Sequence, residues 1–247
     1  GRVAAARVAA LKHAGHAVPI SVPARTAGLA DILIGQTVTV VIEAVVADLL
    51  LEALQAAGED GIYNGALDNA SGTAALIELA EAYAQRATPP RRSVLFVAVT
   101  AEEQGLLGSA HYAKNPLFPL ENTVGGLNMD GMNNFGATRD ITVVGLGMSD
   151  LDGYLKAAAA AQERVLEGDR EAEKGFYYRS DHFELAKEGV PMLYPGGGYD
   201  DREKGVAYGM EKSMEYNRDH YHRVSDEYDL SWNVDGAMDD MEAVFRT

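Results

Sequence analysis

The chain has 247 residues, 47% of them apolar, enough for one large α/β domain with a buried core and too apolar for a disordered chain. Its 37 acidic residues outnumber 21 basic ones, a net charge of −16 that leaves no basic stripe for nucleic acid. It has no cysteine, which excludes disulfides and thiolate metal sites, and no apolar run long enough to span a membrane.

Residues 2–13, RVAAARVAALKH, predict a short helix. No leader pattern precedes it, as expected of a mature or trimmed chain. Residues 16–22 and 36–46 predict strands, and 47–57 a helix that stops at Gly58. A loop, IYNGALDNASG, leads into an amphipathic helix over 72–86. The nearly continuous apolar run 93–100 predicts a strand covered on both faces. A helix follows over 102–114, then strands over 123–130 and 140–147. Residues 149–167 predict an alanine-rich helix, 167–174 an exposed loop, 192–196 a strand, and 231–246 a final helix. Strands alternate with helices, so the expected fold is α/β: a mixed, mostly parallel central sheet with helices on both faces, in one domain over 1–247.

Four polar clusters sit at strand ends or helix starts, where open α/β sheets bind ligands. Asp68 lies in GALDNASG just before a helix and would serve there either as an N-cap or as a ligand. Glu102 and Glu103 follow the strand 93–100. They read either as acids welcomed by a helix dipole or as a metal ligand beside a free base. Asp130 ends another strand and reads as a turn residue or a ligand. The segment Asp219 to Tyr228 contains His220 and His222, spaced by two, so at most one of them is expected in a common site. Taken together, Asp, Glu and His side chains form an oxygen-and-imidazole set suited to zinc.

The motifs NGALDNASGTAALIELA, SVLFVAVTAEEQGLLGS, NMDG, YRSDHFELAKEGVP and YHRVSDEYDLSW resemble those of the co-catalytic di-zinc exopeptidases. That family includes bacterial leucyl-type aminopeptidases and relatives of glutamate carboxypeptidase. The resemblance covers about residues 61–247 in order. It implies a zinc-dependent exopeptidase, probed first as an aminopeptidase, acting on peptides; a secreted or periplasmic setting follows from the resemblance alone. By the same resemblance Asp68 bridges two zinc ions, Glu102 is the general base, Glu103 and His222 bind the first zinc, and Asp130 binds the second. Asp181 and His182 match an element near the substrate pocket.

One element of the family pattern is missing. A His-x-Asp pair is expected near Val45 and Ala47, and no histidine stands there. Asp48 offers an oxygen at most, and His13 and His16 read as structural or surface residues. The expected zinc content is therefore one or two ions. Asp68, Glu103 and His222 around one ion are also the ligand set of the single-zinc glutaminyl cyclases, the runner-up enzyme reading. A degenerate relative acting as a scaffold or binding module is the reading from a different class. A retained Glu102 beside the other acids argues against it.

Overall fold

The computed structural model describes residues 61–247 and the backbone of one earlier strand, β1 (Val38–Ile42). Along the chain follow α1 (Gly72–Ala84), β2 (Val94–Ala98), α2 (Leu107–Lys114), β3 (Gly126–Leu127) and β4 (Asp140–Val144). Then come α3 (Leu151–Ala160), β5 (Val165–Gly168), α4 (His182–Lys187), β6 (Met192–Gly197), α5 (Val206–Asp219) and α6 (Asp235–Arg246). The readings of residues 2–13, 16–22 and 47–57 lie outside the described residues.

β1 and β2 pair in parallel, with Val38 opposite Val94 and Ile42 opposite Ala98. The other strands run in the order β3-β6-β4-β5. β3 with β6 and β4 with β5 are parallel, whereas β4 and β6 are antiparallel, with Val143 opposite Pro195. The pairing is mixed and mostly parallel, as the sequence predicts. The predicted strands do not share one ladder among the described residues: β1 and β2 hydrogen-bond to each other, β3 and β4 belong to the second group.

Side-chain alternation along the strands places a layer on each face. Ile141 and Val143 of β4 and Leu193 of β6 form one core with Leu155, Ala158 and Ala159 of α3 and Ala243 of α6. On the opposite face Tyr194 of β6 packs its ring 4.8 Å from the His182 ring of α4. A second core joins Leu79 and Ala80 of α1, Phe96 of β2 and Val244 of α6, with Met129 packed against it. Consecutive residues of α6, Ala243 and Val244, thus serve different cores, which makes this helix the wall shared by the two strand groups. Fully burying an aliphatic side chain such as Leu155 contributes about 1.5–3 kcal/mol.

Several boundaries differ from the sequence reading. β3 has two residues, and it lies close against β6: a Cβ on Gly126 would meet the Met192 sulfur at 2.7 Å. Residues 101–106 form turns before α2, entered at Ala101 and left at Leu106, both with left-handed φ. α3 stops at Ala160, and β5 replaces the end of the predicted helix. The helix stops in a left-handed turn at Glu163, where φ is 58°, with Arg164 N–H donating back to the Ala159 carbonyl (2.9 Å). Just beyond it, Arg164 Nη2 lies within hydrogen-bond reach of Thr138 Oγ1 (2.9 Å), the Asp140 carbonyl (2.8 Å) and Asp240 Oδ1 (2.6 Å). The sequence reading did not anticipate α4 or α5; α4 has only six residues, and α5 is polar on average and contains Gly209. The loop expected over 167–174 begins after Gly168 and lies at the surface.

Candidate metal centre

Four chain segments meet at one cavity of about 240 Å³, lined by Asp68, Glu102, Glu103, Asp130 and His222 among others. Asp68 stands in the wound turn Ala66–Ser71 that precedes α1, and the Asp68–Asn69 peptide is cis. Glu102 and Glu103 occupy the turn after β2, Asp130 the loop after β3, and His222 the turn after α5.

Small polar residues lock the Asp68 turn to the Asp130 loop. Asn69 donates from Nδ2 to the Met129 carbonyl (3.0 Å), and its Oδ1 accepts from the backbone N–H groups of Gly72 (2.9 Å) and Gly131 (3.1 Å). Ser71 donates to the Leu67 carbonyl (2.6 Å) and accepts from Met132 N–H (2.9 Å). This close packing explains the glycine at the start of α1: a Cβ on Gly72 would sit 2.2 Å from Asn69 Oδ1 and 2.6 Å from the Met129 carbonyl. Asp130 is itself fixed, with Oδ2 accepting from Ser180 (2.7 Å) and Tyr194 (3.4 Å).

His222 Nε2 lies 3.0 Å from Glu103 Oε1 and 3.4 Å from Asp68 Oδ2. One ligand atom from each of Asp68, Glu103 and His222 falls within 4.8 Å of the others. His220 turns away, with Nδ1 2.7 Å from the Ser225 carbonyl. The His222 ring stacks on Tyr221, centroids 3.7 Å apart. Asp130 lines the same cavity but stands outside this three-residue cluster.

The carboxylates crowd one another. Burial, then the charges of Asp130, Glu103 and Asp226, push Asp68 up to about 7. Burial, with Asp130, Glu103, Asp181 and Asp68 nearby, pushes Glu102 up to about 8. A divalent cation is the natural counter-charge for such a group. The donor set also fits zinc: ligand bonds of about 2.0–2.2 Å in a tetrahedron put ligand atoms about 3.3–3.6 Å apart. Asp68, Glu103 and His222 are the residues that would hold the ion, with Asp130 within the same cavity.

Asp181 and His182 follow Ser180 of the cavity wall, and the Asp181 charge acts on Glu102. Neither Asp181 nor His182 lines the cavity. His182 is 1% exposed, held between the rings of Tyr177 and Tyr194 at 4.8 Å each. Burial lowers it to about 4. Asp181 is half-buried beside Ser109 and pushed up to about 6, mainly by burial. Packing encloses His182: its ring, at the start of α4, lies against Tyr194 of the sheet. The sequence reading missed Asn69, Ser71, Ser180, Tyr194 and Asp226 as supports of the site. Four of them lie inside motifs already singled out: Asn69 and Ser71 just after Asp68, Ser180 just before Asp181, and Asp226 four positions after His222; Tyr194, in a strand, carries no local signal.

The sequence profile of Peptidase family M28 matches residues 49–245. A probable zinc metalloprotease of Pyricularia oryzae is 46% identical over 66 residues, covering 27% of this chain and 13% of that protein. A vacuolar membrane protease of the same organism is 34% identical over 67 residues, covering 27% of this chain and 6% of that protein. This chain therefore spans a small part of these curated relatives. The LapA aminopeptidase of Legionella pneumophila shares the fold at a TM-score of 0.53 and 20% identity, over 85% of this chain and 51% of that one. The family profile covers most of the chain, and the fold and the gathered acids and histidine agree with it: this chain belongs to Peptidase family M28.

Proposed function

We propose that the chain is a zinc-dependent exopeptidase acting as an aminopeptidase, with Glu102 as general base. The observation that carries this reading is the meeting of Asp68, Glu103 and His222 at one point, with Glu102 lining the same cavity but outside the cluster. Zinc, when bound, supplies Lewis-acid chemistry that polarises a scissile carbonyl and makes water a better nucleophile. The protein's own part is to fix the donors and move a proton. Glu102 takes the proton from the attacking water and hands it to the leaving amine. Burial first and the neighbouring acids second raise the Glu102 carboxyl, and a cation among those acids would offset the second of these.

A divalent cation held by Asp68 and Glu103 would cancel those two charges, which leaves Glu102 as the base and Asp130 as the remaining acid on a cavity wall that also carries Arg179 and Lys212. Asp130, oriented by Ser180, is the acid available for a second cation or for the substrate amine. The three-donor cluster also favours one rival, cyclisation of N-terminal glutaminyl residues at a single zinc ion.

Hydrolysis of aminoacyl chromogenic substrates by the zinc-loaded chain, beside a glutaminyl peptide, tests the reading. Glu102→Gln is expected to lower turnover by about 10²–10⁴ while zinc content stays unchanged, because it removes a base and no ligand. Ammonia release from the glutaminyl peptide without hydrolysis of any aminoacyl substrate would select the cyclase. Zinc-loaded protein inert toward both would leave the scaffold reading.

A further inference from the structure

We propose that Asp226 is a positioning residue that sets the Asp68 carboxylate against the His222 imidazole. The inference rests on Asp68, Glu103 and His222 holding the metal. Asp68 and Asp226 are 158 positions apart in sequence, so nothing local fixes their relation. Asp226 is 3% exposed and neither lines the cavity nor belongs to the donor cluster.

All its acceptors are committed to the Asp68 turn and to α5. Oδ1 accepts from Leu67 N–H (3.0 Å), and Oδ2 from Asp68 N–H (3.0 Å) and the Tyr216 hydroxyl (3.0 Å). Its own carbonyl accepts from Ala66 N–H (3.1 Å). Three successive backbone N–H groups, those of residues 66, 67 and 68, therefore converge on one aspartate. Hydrogen bonds from N–H to carboxylate are among the stronger ones, and the two oxygens held apart in this way fix orientation as well as distance.

The His222 side is held through the same residue. Asp226 N–H donates to the Arg223 carbonyl (3.1 Å) and Arg223 N–H to the His220 carbonyl (2.9 Å), so His222 lies in a tight turn ending at Asp226. His222 has φ 55°, a left-handed conformation that side-chain-bearing residues adopt only where neighbours over-determine it. Asp226 anchors one end of that turn, and Tyr216, which accepts His220 N–H at its carbonyl (2.8 Å), anchors the other. The clamp thus joins two ligand-bearing loops. Outer supports of this kind typically change metal affinity about 10–100-fold when removed.

Cobalt(II) and zinc binding to the full chain tests this, by calorimetry and by the visible absorption of cobalt, which reports ligand geometry. The set is wild type, Asp226→Asn, Asp226→Ala and Tyr216→Phe, with thermal unfolding of each metal-free protein. Asp226→Ala is expected to bind about 10–100-fold more weakly and to change the cobalt spectrum. Asp226→Asn keeps one acceptor oxygen and should fall between it and wild type; Tyr216→Phe should change least. If the alanine variant does not fold, the other two carry the comparison. Variants with wild-type affinity and wild-type cobalt spectrum, whatever their melting temperature, would overturn the inference and leave Asp226 a fold anchor. Wild-type protein that binds neither ion would overturn the metal-holding triad first, and the inference with it.

Discussion

Replacing His182 with phenylalanine should remove a step from the pH dependence of stability. His182 is 1% exposed, and among the described residues neither ring nitrogen meets a hydrogen-bond partner. Aromatic rings of Tyr177 and Tyr194 flank it, so a proton on the ring gains no counter-charge from them. Burial lowers its pKa from 6.5 to about 4. The folded value lies below the unfolded one, so the fold favours neutral imidazole. The associated stability is fully present above pH 6.5 and is lost as pH falls toward 4. The size of the loss is about 3 kcal/mol, from about 1.4 kcal/mol per pH unit. Asp181, raised to about 6 by burial, opposes this in an overlapping window. Its contribution is present at low pH and lost as pH rises toward 6, so the difference between wild type and variant is the informative quantity. Urea unfolding midpoints from pH 7.5 down to pH 4 measure it. The wild type should lose about 3 kcal/mol more than His182→Phe across that range. Parallel curves for the two proteins would refute the assignment of a buried, neutral His182.

Two further outcomes follow from buried charge and from the ligand set. Asp240→Ala should cost about 3–5 kcal/mol in urea unfolding, because it leaves an Arg164 guanidinium with 0% side-chain exposure unpaired; a loss under about 1 kcal/mol would mean that the Thr138 and Asp140 oxygens suffice. After zinc loading and dialysis, atomic emission should find one zinc ion held firmly per chain. The sequence places no imidazole near Val45, so Asp68 and Asp130 would offer a second ion oxygens alone; two firmly held ions would mean that a residue not named here supplies the missing nitrogen.

Much of the site is legible in the sequence because its acids sit at the ends of apolar runs. Glu102 and Glu103 follow the run that becomes β2, and Asp130 follows β3; their placement at the sheet edge comes from one-dimensional order alone. The choice between His220 and His222 is different. Both lie in the same turn, and only the backbone there, left-handed at His222, sends one ring to Glu103 and ties the other to Ser225. Asp181 and His182 directly follow Ser180 of the cavity wall, and only the packing of α4 against Tyr194 decides that His182 is buried rather than on the lining.

Composition, charge and local periodicity determined the α/β class, the net negative charge and, because it depends on neighbours along the chain, part of the order of strands and helices, though not α4, α5 or β5. Tertiary structure alone decided the partners across the chain. Arg164, just past the end of α3, pairs with Asp240, 76 positions away. Asp68 is held by Asp226 at 158, and Asn69 by the Met129 carbonyl at 60. Hydrogen bonds between segments so distant in sequence leave no periodic trace, since each one needs only a single side chain at the right place in the folded chain.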